Sequence, residues 1–314
     1  MISKRRIASA VFAAFLGLGL VAGAGAQQGV IKFNLSPDQN RIRADKNPKA
    51  SALLPKNGLA TPGKLTVGTN PYVLPLGANA TDDKTIIGNE PDIAQLIADS
   101  LGLELNLVPT AWEDWPLGLS SGKFDAVISN VTVTEERKEL FDFATYRQDV
   151  LGFYVKSDNK ITSIKEAKDV AGLKIIVGSG TNQEKILVAW DQENKKKGLK
   201  PVDFQYYDDD AASDLAIQSG RADATFAPNA TSAYKAATNG QTKLVGIVNG
   251  GWPLTANIAV ATKKGNGLAA AYAEALNGLI KSGKYDQVLA RWGLTAERVD
   301  KSLLNPPGLP KPKK

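Results

Sequence analysis

Neither cysteine nor histidine occurs among the 314 residues, and methionine appears once, at the first position. Without cysteine there is no disulfide, no thiolate metal site, no cysteine nucleophile and no thiol to carry a lipid. Without histidine the commonest general base and the commonest transition-metal ligand are missing. Most hydrolytic mechanisms lose their central residue, and what remains to an enzyme is carboxylate, lysine or tyrosine chemistry. No metal and no cofactor is expected. Long apolar runs are also scarce. The run from Ile7 to Val21 falls short of the roughly 20 residues that cross a bilayer. It follows Lys4, Arg5 and Arg6 and precedes Ala24-Gly25-Ala26, the pattern of a signal peptide cleaved after Ala26. Residues 1–26 are therefore read as an export signal, and the product as free of the membrane.

Lysine and arginine number 38 against 32 acids, a formal charge of +6 that falls to +3 when the leader removes its three cations. The remaining cations are dispersed rather than gathered into one stripe, which argues against nucleic acid as a partner. The 288 residues left after cleavage suffice for two domains, each with its own core. Residues 27–62 are rich in Asn, Asp, Lys and Pro and read as an extended N-terminal extension with one apolar patch at Ala52 to Leu54.

From Lys64 the pattern alternates. Strand-like runs Leu65–Thr69, Leu103–Pro109 and Asp125–Ser129 are separated by helical runs Pro91–Leu101 and Trp112–Ser121, the βαβ rhythm of a parallel sheet. A second set follows: strand Lys174–Gly178, helix Gln183–Asn194, strand Asp203–Tyr207, helix Ala211–Ser219 and strand Ala222–Phe226. Ser121-Gly122-Lys123-Phe124-Asp125-Ala126 in the first set matches Ser219-Gly220-Arg221-Ala222-Asp223-Ala224 in the second. In both, glycine suits a left-handed helix stop before a buried strand. This fits two similar α/β lobes, although it also fits a common αβ turn.

Apolar Val150–Val155 would carry the chain into the second lobe and Asn257–Thr262 would bring it back, before helices Gly267–Ser282 and Tyr285–Gly293 pack on the first lobe. The expected division is therefore 63–155 plus 257–304 for lobe one and 156–256 for lobe two. Residues 305–314 read as a flexible Pro-Lys tail.

Ligands of open α/β sheets bind beyond the carboxyl ends of the strands. There, Thr132 and Thr134 precede Arg137. An arginine fork grips a carboxylate through two charge-assisted bonds, with Thr132 completing the shell. The same spacing also fits a capped helix with a solvated arginine. In the second set, Gly178-Ser179-Gly180-Thr181 leads into a Thr-x-x-Glu capping box ending at Glu184, a helix start that favours anions. It also fits an ordinary cap. Tyr72 and Trp112 follow strand ends and suit the walls of one cleft, while Trp115, Trp190 and Trp292 read as core.

From Lys64 to Gly293 these motifs, in this order, resemble the polar amino-acid type of extracellular solute-binding proteins, family 3. The series includes Leu65-Thr66-Val67-Gly68-Thr69, Pro91-Asp92-Ile93-Ala94, Thr134-Glu135-Glu136-Arg137 with Phe141-Asp142-Phe143, Gly180-Thr181-Asn182-Gln183-Glu184, and Arg291-Trp292-Gly293. The resemblance implies the periplasmic binding-protein type II fold: two α/β lobes, two hinge strands and a ligand cleft between them. It implies a monomeric periplasmic receptor that passes an amino acid or related small carboxylate to an ABC permease complex. Arg137 would hold the ligand α-carboxylate with Thr132, Thr181 would contribute from lobe two, and Tyr72 and Trp112 would pack on its aliphatic part. Ser129 and Asn130 would add contacts.

The family's ammonium-binding aspartate falls at Pro228 here, with neutral Asn229 adjacent. The expectation is therefore a ligand without a free α-ammonium, or with a substituted one. Glu90-Pro91 also replaces the usual apolar-acidic pair before the first helix. A dehydratase of prephenate-like acids on the same scaffold is the rival reading, and a receptor serving only chemosensing is a third.

Overall fold

The computed structural model describes residues 32–207 and 209–311, and the expected leader lies outside the described residues. Helix α1 (Pro48–Ala52) comes first, capped by Asn47, whose Oδ1 accepts from Lys49 N at 3.0 Å. Strand β1 (Lys64–Thr69), the hairpin β2 (Ala78–Asn79) and β3 (Ile86–Ile87), helix α2 (Asn89–Leu101), β4 (Glu104–Pro109), α3 (Trp115–Ser120) and β5 (Ala126–Val127) complete the first set. The long strand β6 (Phe141–Lys156) leads into β7 (Lys174–Ile176), α4 (Asn182–Lys196), β8 (Asp203–Gln205), α5 (Asp210–Gln218) and β9 (Ala224–Pro228). Helix α6 (Asn229–Asn239), β10 (Thr242–Asn249), β11 (Ala256–Lys263), α7 (Leu268–Lys281) and α8 (Lys284–Arg291) follow.

The strands run in the order β4-β1-β5-β11-β6-β9-β7-β8, with β10 also on β6. Strand β1 lies parallel between β4 and β5, and β7 lies parallel between β8 and β9. These are the two parallel sets that the alternation predicts. What joins them is β6. Its residues 141–149 pair with β11, while 150–156 pair with β10 and 151–155 with β9. One strand thus belongs to both halves, and the return crossing lies between Asn249 and Ala256. Apolar side chains gather on either side of this junction. One core holds Leu65, Ile93, Ile97, Tyr272, Leu276 and Trp292; the other holds Ile175, Leu187, Trp190 and the stacked rings of Phe153 and Phe226, 4.0 Å apart. Trp115, Trp190 and Trp292 are all buried, as expected of core aromatics.

Three stretches differ from the sequence reading. The strand expected at Val150–Val155 extends back to Phe141; its first half carries Asp142, Arg147 and Asp149, charges that interrupt the apolar run although the last two are buried. Helix α6 and strand β10 have no counterpart in the sequence reading: α6 is polar and alanine-rich, with no residue fully buried, so no apolar stripe marks it. The helix start expected after Thr134 is one 3-10 turn, Arg137–Glu139.

Both ends of the described chain are packed against the fold. Arg43 Nε and Nη2 donate to Asp99 at 2.7 and 2.6 Å, and Phe33 packs 5.0 Å from the rings of both Trp292 and Tyr234. The segment from Asn305, expected to stay unfolded, pairs through Leu309 N to Val133 O at 3.0 Å and Glu135 N to Leu309 O at 2.9 Å. Composition predicts no structure for a Pro-Lys stretch. The backbone at residues 133–135 supplies the partner that composition does not reveal.

Candidate functional site

A cleft of about 400 Å³ opens at the carboxyl ends of both parallel sets. Seven of the eight expected residues line it: Tyr72, Trp112, Ser129, Asn130, Thr132 and Arg137 from the first half and Thr181 from the second. The eighth, Asn229, is not among the lining residues. Its Oδ1 accepts the Tyr154 hydroxyl at 2.9 Å, which corrects the expectation that its amide faces a ligand. Pro228 lines the cleft at the end of β9.

Arg137 sits where the chain turns after Thr134, whose hydroxyl accepts the Arg137 N–H at 3.0 Å. Its Nη1 donates to the carbonyl of Thr132 at 2.9 Å, and its Nη2 reaches Gly180 O at 3.4 Å across the cleft. The rings of Trp112 and Trp115 lie 5.3 and 5.6 Å from the guanidinium carbon, close enough for cation–π attraction. Burial pulls the guanidinium pKa down to about 10. The adjacent Glu136 bonds instead to Lys185. Among the described residues no carboxylate forms an ion pair with Arg137, so carbonyls hold its fork at the cleft while its charge lacks a direct partner. This is the arrangement in which an anionic ligand gains most.

The opposite wall is the loop before α4. Thr181 Oγ1 accepts from Glu184 N at 3.2 Å and donates to Gly178 O at 2.6 Å, while Gly180 N donates to Glu184 Oε2 at 2.7 Å. The predicted cap is therefore real, but Glu184 reaches back to Gly180 rather than to Thr181. Two of the amides expected to serve a ligand are engaged within the loop.

Ser129 Oγ accepts from Asn70 N at 3.3 Å, fixing the end of β5 against the end of β1. Asn130 has φ +50° and holds its Oδ1 against Arg147 Nη2. Here the structure adds residues that the sequence reading missed. Arg147, on β6 and 1% exposed, lies between Glu297 and Glu90; Glu90 accepts from Arg147 Nη2 at 3.3 Å and from the Tyr146 hydroxyl. Burial opposes the Arg147 charge, but Glu297 and Glu90 hold it well above the ordinary value. Burial also raises the Glu90 carboxyl, against the pull of Arg147.

Two residues further on, Asp149 lines the cleft at 4% exposure. Burial pushes its carboxyl up to about 7, although Arg147 draws it down. Its hydrogen-bond partner is Asn130 Nδ2, at 3.5 Å. The signal for this cluster was present in the sequence as charges inside an otherwise apolar strand, Tyr146-Arg147-Gln148-Asp149-Val150.

Contacts also bridge the cleft mouth. The Tyr72 hydroxyl donates to Asp210 Oδ1 at 3.1 Å, and Asp210 is held in turn by Lys235 Nζ at 2.8 Å.

The family model of bacterial extracellular solute-binding proteins, family 3, matches residues 65–295. The L-cystine-binding protein TcyJ of Escherichia coli (strain K12) is 37% identical over 163 residues. That match covers 52% of this chain and 58% of the relative, so the chain spans little more than half of that protein's length. The arginine-binding protein ArgT of Corynebacterium glutamicum is 30% identical over 270 residues, covering 84% of this chain and 85% of that protein. Among solved structures, the ancestral amino acid-binding protein AncCDT-1, a precursor of cyclohexadienyl dehydratase, superposes with a TM-score of 0.63 at 27% identity. It covers 73% of this chain and 95% of its own. Such neighbours have the two-lobed periplasmic binding protein type II fold.

Proposed function

The chain belongs to family 3 of the bacterial extracellular solute-binding proteins, and on that premise we propose that it is a periplasmic receptor for an amino acid or related small carboxylate. In this reading residues 1–26 direct export, the mature chain captures its ligand as the two halves close, and an inner-membrane ABC importer receives it. No described helix is long and apolar enough to cross a membrane. The observation that carries the reading is Arg137, whose half-buried guanidinium lines the cleft without a carboxylate ion-pair partner among the described residues. We assign it to the ligand carboxylate, with Thr132 and Thr181 beside it and the rings of Tyr72 and Trp112 covering the ligand's apolar part.

The test is Arg137→Ala. A charge-assisted pair of this kind contributes about 1.5–3 kcal/mol, so calorimetric titration with the best-bound of the standard amino acids and L-cystine should lose roughly ten- to hundred-fold in affinity. Unchanged affinity removes Arg137 from the site.

A second reading, a dehydratase on the same scaffold, draws support from the raised Asp149 carboxyl in the cleft and from the likeness to a dehydratase precursor. Perturbed acids in clefts are candidates for acid–base work. Incubation with prephenate-like acids separates the two: a receptor returns them unchanged, whereas a dehydratase yields the aromatised product lighter by one water and one carbon dioxide.

A further inference from the structure

Resting on the receptor reading above, we propose that Asp149 pairs with the ligand's ammonium group in place of the acid missing at position 228, so that the cleft selects a carboxylate bearing a free α-ammonium. Four observations lead there. First, Asp149 lines the same cleft as Arg137 and is 4% exposed, yet among the described residues no cation forms an ion pair with it. The cation nearest in sequence, Arg147, is engaged by Glu297 and Glu90.

Second, the other cleft acids are already satisfied or solvated. Glu90 is held by Tyr146 and Arg147, Asp210 by Tyr72 and Lys235, and Glu113 is exposed to water. Third, Asp149 stands beside the substituted position. Leu151 is the cross-strand partner of Pro228, and Asp149 precedes it by two residues, which makes Asp149 and Pro228 diagonal neighbours, about 7–8 Å apart in a regular sheet. On this reading the carboxylate is supplied one strand over, from β6 rather than β9, and both positions line the cleft.

Fourth, Asn130 is placed to orient it. Its Oδ1 is held by Arg147, and its Nδ2 points at Asp149 Oδ1 from 3.5 Å. A carboxylate buried without a cation is costly, and a ligand ammonium supplies what the protein does not. Arg137 and Asp149 then offer one uncompensated charge of each sign to one small molecule, the complement of a zwitterion. This reverses the expectation from Pro228 alone that unmodified amino acids bind poorly.

The test titrates the full-length mature protein by calorimetry with the best-bound of the standard amino acids and L-cystine, and with its deaminated α-hydroxy counterpart. Wild type should favour the amino acid by about tenfold or more, and Asp149→Asn should bring that ratio close to unity while changing the affinity for the hydroxy acid little. A second readout needs no variant. In buffers of different ionisation enthalpy near pH 7, the wild type should release a fraction of a proton on binding the amino acid and none on binding the hydroxy acid. If neither class binds, the receptor reading fails and the inference with it. If both bind wild type equally, or D149N keeps the full preference, the assignment of Asp149 is overturned and the receptor reading stands.

Discussion

Asp149 shows how much of a binding site depends on groups whose partner the protein does not supply. Its carboxyl is pushed up to about 7 first by burial, with Glu297 and Glu90 adding to the rise and Arg147 and the Asn130 amide opposing it. Near neutrality the free protein therefore carries Asp149 partly protonated. A bound ammonium favours the ionised form and lowers that pKa, so binding releases a proton, and affinity depends on pH in one direction only. As pH falls below about 7, affinity for an ammonium-bearing ligand should weaken by up to roughly tenfold per unit. Above that value it should be flat until the ligand ammonium itself titrates. A calorimetric pH series checks this; in D149N the slope should disappear, and a profile flat through neutrality in the wild type would contradict the account. Arg137 differs in kind. Its pKa is lowered only to about 10, so it stays charged throughout that range and contributes no slope.

At the scale of elements, the paired helix stops can be tested directly. Gly122 and Gly220 close α3 and α5 at φ +80° and +73°, and a Cβ at either would meet nothing within 4 Å. Alanine there suffers from backbone conformation alone, about 1–2 kcal/mol, and the loss should be similar in G122A and G220A. Gly118 inside α3 is the contrast. A helical position ordinarily gains from Gly→Ala, but here the Cβ would fall 2.3 Å from the Phe124 ring. G118A should therefore destabilise more than either stop variant in urea denaturation, and a stabilised G118A would show that the helix yields more easily than its packing implies.

The same elements mark what the sequence makes legible. The alternation of the two parallel sets, the glycine stops, the three core tryptophans and the Thr181 cap rest on local patterns and are readable at sight. Arg137 and Thr132 are readable too, because one loop contains both. The cluster of Glu90, Asn130, Arg147, Asp149 and Glu297 is not, since it draws on positions as far as 207 residues apart that β6 alone brings together. The direction of the Asn229 side chain is not legible either, for the converse reason. Adjacency to Pro228 in sequence says nothing of direction, and the helix that starts there turns its amide to Tyr154.

For the molecule as a whole, the sharing of β6 between both halves gives the cleft its character. The strand carries Arg147 and Asp149 at the point where pairing with β11 gives way to pairing with β9 and β10. The charged floor of the site is thus part of the junction about which the halves can bend. Around it, Tyr72 to Asp210, Lys185 to Glu136 and Arg137 to Gly180 connect the two sides, contacts that form only when the halves face each other closely. A small zwitterion held between Arg137 and Asp149 would fasten both sides at once. The most direct measurement is mass spectrometry of the small molecule released on denaturing protein that was purified without added ligand, with R137A treated in parallel. The account predicts an amino acid with a free α-ammonium from the wild type and a much reduced yield from R137A; a compound lacking a carboxylate, or equal retention by R137A, would contradict it.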